Sequence, residues 1–198
     1  MSTNQVTTPT DASARSIKIE AHVAQTLVNL HIAEYQALTS RNTNWITLQY
    51  ALWPILGLAL SLLAPLTNTP YRILAFWGGT AIVQAVAFAY YVSLIEVYRN
   101  VRYIEKKLRQ SLQDIIGEHP FWGYENYLHE NRDRRVFWFE CFPLVLSFGA
   151  LGFASYNAVR PWSFWDYAGF LFNALCLIIA VYLAAKTSKT RKELFSPL

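Results

Sequence analysis

The chain has 198 residues, of which 54% are hydrophobic, 16% aromatic and only 15% charged, with 17 Lys and Arg against 13 Asp and Glu for a net charge of +4. That length fits one domain, and a charged fraction well below the usual quarter sets the chain apart from ordinary soluble composition. So small a net charge makes no case for nucleic acid as a partner; the distribution of the charges is what informs.

Residues 1–15 (MSTNQVTTPTDASAR) are polar, rich in Ser and Thr, and lack an apolar core, so a disordered cytoplasmic tail is expected there rather than a cleaved signal peptide. Residues 16–42 read as a cytoplasmic helix with Ile19, Val23, Leu27 and Leu30 on one side. Four runs without Asp, Glu, Lys or Arg follow along the chain, at 42–71, 73–95, 141–159 and 167–185. Each is long enough to supply the roughly 17–25 residues a helix needs to cross about 30 Å of hydrocarbon. The expected transmembrane helices are therefore 45–64, 71–95, 136–157 and 164–185.

Boundary signals agree with these limits. Thr69 and Pro70 offer an N-cap and a first-turn proline for the second span. Ser163 and Asp166 have capping-box spacing for the fourth. Trp45, Tyr71, Trp77, Trp138, Trp162 and Trp165 gather near expected interfaces, where amphipathic rings are favoured.

After the second span, Val97, Val101, Ile104, Leu108, Leu112 and Ile115 form an apolar stripe at helical spacing. A cytoplasmic amphipathic helix over 97–116 is expected, ending at Gly117 and Pro120. It should lie antiparallel to the 16–42 helix, each covering the other's stripe. Residues 117–135 form an aromatic-rich cytoplasmic loop with Phe121, Trp122, Tyr124 and Tyr127, and residues 186–198 form a basic cytoplasmic tail.

Charge sets the orientation. Fifteen of the 17 Lys and Arg residues fall before the first span, between the second and third, or after the fourth, leaving only Arg72 and Arg160 on the other side. The positive-inside rule places both termini and the long loop in the cytoplasm, with a bacterial cytoplasmic membrane as the default setting. Arg99, Arg102, Lys106, Lys107 and Arg109, with Lys186, Lys189, Arg191 and Lys192, make a basic collar expected to contact anionic lipid headgroups.

Within the spans, Ala81, Ala85, Ala89 and Ser93 share one helical face, as do Ala150, Ala154 and Ala158, and such small-residue faces let backbones approach closely in lipid. Pro54 and Pro143 are expected to bend their helices. Gln84 and Asn173 are intramembrane amides expected to hydrogen-bond neighbouring helices, and Glu140 is expected to reach Arg134 or Arg135. Pro54, Pro70 and Gln84 recur as Pro143, Pro161 and Asn173 at offsets of 89 to 91, a faint echo of a parallel repeat.

Chemistry-bearing patterns are sparse. Cys141 and Cys176 lack CxxC spacing and read as small packing residues. Glu125, His129 and Asp133 share a spacing of four that reads as a solvated face rather than a metal site. No zinc-protease, hydrolase, Walker or dinucleotide motif occurs, so neither a catalytic residue, a metal nor a cofactor is expected.

The chain thus reads as an all-α integral membrane four-helix bundle with cytoplasmic helical extensions. Its leading function is non-enzymatic, assembling with copies of itself or with a cytoplasmic protein partner. A channel or transporter built as an oligomeric pore is the alternative. Third is a lipid-active enzyme, for which Glu125, His129 and Glu140 are the only candidate set.

Overall fold

A computed structural model describes residues 11–116, 135–158 and 162–195. Among the described residues the protein is all-α, and no strand is present. Helix α1 spans Asp11–Leu63, 53 residues without a break. The separate helices expected at 16–42 and 45–64 are therefore one. No Gly or Pro stands at the expected junction, and the Thr43 hydroxyl donates to the Thr39 carbonyl at 3.1 Å, staying inside its own helix. Pro54 lies in the helix interior on an exposed position and does not end it. Residues 11–15, expected as part of a disordered tail, belong to the same helix.

A short 3₁₀ turn, Ala64–Asn68, closes α1. Thr69 then accepts the Tyr71 N–H on its hydroxyl at 3.2 Å, satisfying one free donor as the next helical segment begins. That segment opens with a π-helical turn at Leu74–Gly78 and continues as α2, Gly79–Tyr103. A second π turn at Ile104–Leu108 leads into α3, Arg109–Ile116, so one helical rod runs through the whole stretch. Helix α4 is Arg135–Asn157, with Pro143 inside it. Helix α5, Phe164–Phe195, is 32 residues long, so residues 186–195 of the expected basic tail are helical.

Among the described residues, three stretches are long and apolar enough to cross a membrane: His22–Asn68, Leu74–Ile115 and Phe164–Glu193. The expected third span, α4, is described over only part of its length, the side chains of residues 135–139 lying outside the described ones. The aromatic loop expected at 117–135, with Glu125, His129 and Asp133, lies outside the described residues except for Arg135 at its edge.

Helix α2 is the hub, packing against α1, α4 and α5. Its partners' directions follow from their side-chain pairs. Gln49 donates to Ser93 at 2.9 Å and Asn100 donates to Asn42 at 2.8 Å, so α1 is antiparallel to α2. These two polar pairs stand one heptad apart. The packed positions of α1 include His31, Tyr35, Leu38, Asn42, Trp45, Gln49, Leu52 and Leu56, recurring by threes and fours. A 3.5-residue period keeps one face of a helix against its partner along its length. That face is not the expected one, because Val23, Leu27 and Leu30 point outward at 52%, 42% and 62% exposure.

Small residues do not line the hub as expected either. Ala85 is exposed, Ala81 and Ala89 are half-buried, and only Ser93 of that face is fully buried. Larger side chains fill the core instead: Val83, Val86, Tyr90, Tyr91 and Ile95 pack with Leu52, Leu56 and Leu183. On α4, Ala154 is buried, while Ala150 and Ala158 are half-buried. A helix surrounded on three sides packs through most of its circumference, so one alanine stripe cannot carry all its contacts.

Large apolar side chains cover much of the outer surface. Leu58, Leu62, Phe153, Leu171, Leu175, Ile178 and Tyr182 are each 58% to 69% exposed, whereas Gln84, Ser93, Ser147, Asn173 and Thr187 are 2% exposed or less.

Candidate functional site

Polar side chains collect on a seam where α2, α4 and α5 meet. Helix α2 and the π turn that precedes it contribute Trp77, Gln84, Tyr91 and Tyr98, one heptad apart and all buried. Thr80 donates to the Ala150 carbonyl at 3.2 Å and Tyr91 donates to the Glu140 carbonyl at 2.7 Å, making α4 antiparallel to α2. Trp77 meets Asp166 and Arg102 meets Glu193, making α5 parallel to it. These two pairs have offsets of 89 and 91, so the echo in the sequence coincides with the spatial register of α2 and α5.

One end of the seam is an ionic cluster. Glu140 is 7% exposed and accepts from Arg191 at 2.7 Å on one oxygen and from the Tyr98 hydroxyl on the other. Three helices are thereby joined through one carboxylate. Arg191 stands 51 positions from Glu140, a pairing that sequence proximity does not reveal; the expected partner Arg134 and the side chain of Arg135 lie outside the described residues. Arg191, one of the residues of the expected basic collar, is 20% exposed and pairs with Glu140. Burying a carboxylate is costly unless it is paired and hydrogen-bonded, and here both conditions hold.

The opposite end is an aromatic and carboxylate cluster. The Trp77 indole donates to Asp166 Oδ1 at 3.1 Å. Asp166 Oδ2 accepts from the Ser163 amide at 3.0 Å and from its hydroxyl at 2.7 Å, while the Asp166 amide donates back to the Ser163 hydroxyl at 3.3 Å. This is the reciprocal capping pattern at the start of α5. Trp77 is thus a core residue, although its place in the sequence reads as an interfacial ring. Trp162 and Phe170 pack edge-on against it at centroid distances of 6.2 and 6.3 Å. Arg72, Asn157, Ser163 and Asp166 help line a small cavity of about 190 Å³ beside this cluster.

Between the two ends lies an uncharged polar layer. The Thr80–Ala150 and Tyr91–Glu140 register puts Gln84 level with Ser147, and the Trp77–Asp166 offset puts it level with Asn173. All three are 2% exposed or less. Asn173 Nδ2 donates to the carbonyls of Gly169 at 2.8 Å and Trp77 at 3.3 Å, and Ser147 donates to the Pro143 carbonyl at 2.8 Å. Both amide atoms of Gln84 and the Oδ1 of Asn173 lack a protein partner. A buried polar group left unpaired costs about 1–3 kcal/mol. Gln84 and Asn173, legible as isolated intramembrane amides, belong to one layer; Ser147 carried no sequence signal beyond its place in an apolar run.

The basic collar is partly neutralised. Arg99 pairs with Glu96 at 2.8 Å, Arg102 with Glu193 at 2.7 Å and Arg109 with Glu105 at 3.3 Å. Lys107, Lys186, Lys189 and Lys192 are exposed, and Lys106 is half-buried. An apolar groove of about 460 Å³ separates α1 from α4, with Gly79, Thr80 and Val83 of α2 among its lining residues. Among the described residues no group of three His, Cys, Asp or Glu side chains is placed to hold a metal ion. No protein-family model, curated protein or solved structure matches this chain.

Proposed function

We propose that the protein is a multi-pass membrane protein that crosses the bilayer four times and acts without catalysis, assembling with partners through its cytoplasmic helices. The observation that carries the membrane reading is the apolar outer surface, set beside polar groups shielded within the bundle. Large apolar side chains of α1, α4 and α5 face outward while amides, hydroxyls and a carboxylate are gathered inside. Water would penalise that arrangement, and hydrocarbon favours it. Helix α4 would cross as part of the bundle, its polar residues Glu140, Ser147 and Ser155 turned toward neighbours or bonded within the helix. Both termini and the connection between α3 and α4 would lie on the cytoplasmic side, with Lys107, Lys186, Lys189 and Lys192 against anionic headgroups.

Beyond the membrane, Val23, Leu27 and Leu30 recur at steps of four and three on a helix whose adjacent face is already packed. A second copy or a cytoplasmic protein covering that row would bury three large side chains, each worth about 1.5–3 kcal/mol when fully buried. Native mass measurement of the intact chain in lipid nanodiscs tests this. Dimers, higher assemblies or a co-purifying protein are expected, and Leu27→Glu with Leu30→Glu should disperse them. Monomers alone, with nothing bound, would contradict the reading.

The unpartnered amides of Gln84 and Asn173 favour a second reading, a solute or ion path built from several copies. Liposomes containing the protein would then pass small ions or solutes, and Gln84→Ala would change that flux.

A further inference from the structure

The middle layer of the seam has hydrogen-bonding capacity that its own side chains do not use. Asn173 spends Nδ2 on two backbone carbonyls, which fixes its Oδ1 as an acceptor. Gln84 offers two N–H donors and one acceptor, none of them engaged. Ser147 donates its proton to Pro143 and keeps its oxygen lone pairs. The three side chains stand at one level of three different helices and are shielded from solvent.

We propose that this layer binds a single water molecule held between Gln84 and Asn173, with Ser147 as its third neighbour. Water is the species whose valences match. It accepts from Gln84 Nε2 and donates to Asn173 Oδ1 and to the Ser147 oxygen, giving the three bonds typical of a buried water. A hard cation takes about six oxygen ligands or more, which three neutral side chains do not supply. An anion would find one donor group, Gln84 Nε2, beside two acceptors. The site does not depend on the membrane reading, because it rests on the contacts of α2, α4 and α5 alone. Its role is to let α2 and α5 join across a polar layer whose amides do not reach each other directly.

Magnetic resonance on the full-length, deuterated chain in detergent micelles tests this. The Gln84 side-chain amide is assigned by through-bond connection to its own Cα, so no variant has to fold. The expected result is a water cross-peak to the Gln84 Nε2 protons, with the sign of a water that outlasts molecular tumbling. A Gln84→Met variant, where it folds, should lose the water while leaving the Trp77 indole signal in place. Absence of the cross-peak in the unaltered chain would overturn the proposal. So would a hydrogen-bond coupling running directly from Gln84 Nε2 to the Asn173 side-chain carbonyl.

Discussion

A Cβ added at Gly169 would stand 2.6 Å from Trp77 Cγ, whereas at Gly57 and Gly149 it would meet nothing within 4 Å. Gly169 therefore permits the indole to lie against α5 and donate to Asp166. Gly169→Ala should displace Trp77 and destabilise the protein by about 1–3 kcal/mol, the range for overpacking. Gly57→Ala should be neutral or slightly stabilising, because alanine is the better helix former. Thermal unfolding in detergent, followed by tryptophan fluorescence, separates the two. At the other end of the seam, Arg191→Met would strand the buried Glu140 carboxylate. The expected loss is about 3 kcal/mol, the lower part of the range for a broken buried pair because Arg191 keeps some solvent contact. Adding Glu140→Gln should restore most of it, and an additive double variant would show that the pair is uncoupled. Sequence exposes such residues unevenly. Ser163 and Asp166 are three positions apart, so their mutual capping is local and legible. Glu140 and Arg191 meet only because α4 and α5 fold against α2, which no local pattern encodes.

The pairing of α1 with α2 rests on two polar contacts one heptad apart, Gln49 with Ser93 and Asn42 with Asn100. Polar residues at packed positions fix the register of paired helices, since slipping them would leave buried groups unsatisfied. With Cys141 and Cys176 replaced by alanine, Asn42→Cys with Asn100→Cys should cross-link on mild oxidation. Trp45→Cys with Asn100→Cys, about one turn out of register, should not. Equal yields from both would contradict the register. The element scale also shows where reading from charge and hydropathy stops short. Asn42, Thr43 and Asn44 look like a boundary because polarity changes there, yet nothing at these residues breaks the backbone and α1 passes through. The stripe Val23, Leu27 and Leu30 is as periodic as the face that packs. Only the register set by Asn42 and Gln49 decides which of the two meets α2.

For the molecule as a whole, apolar content made the all-α class and the presence of helices of spanning length legible, because it is an average over some twenty residues. The polar seam was not legible as a unit, since its members come from three helices and each is an isolated residue in an apolar run. In the proposed membrane setting these observations fit together: apolar side chains contact lipid, the polar seam ties the bundle from inside, and exposed lysines sit at one end. The most direct measurement is labelling of single cysteines with a membrane-impermeant maleimide in cells, in a background with Cys141 and Cys176 replaced by alanine. The account predicts that Asn68→Cys, between α1 and α2, is labelled in intact cells and that Lys189→Cys is labelled only after permeabilisation. Labelling of Lys189→Cys in intact cells, or recovery of the protein in the soluble fraction, would contradict it.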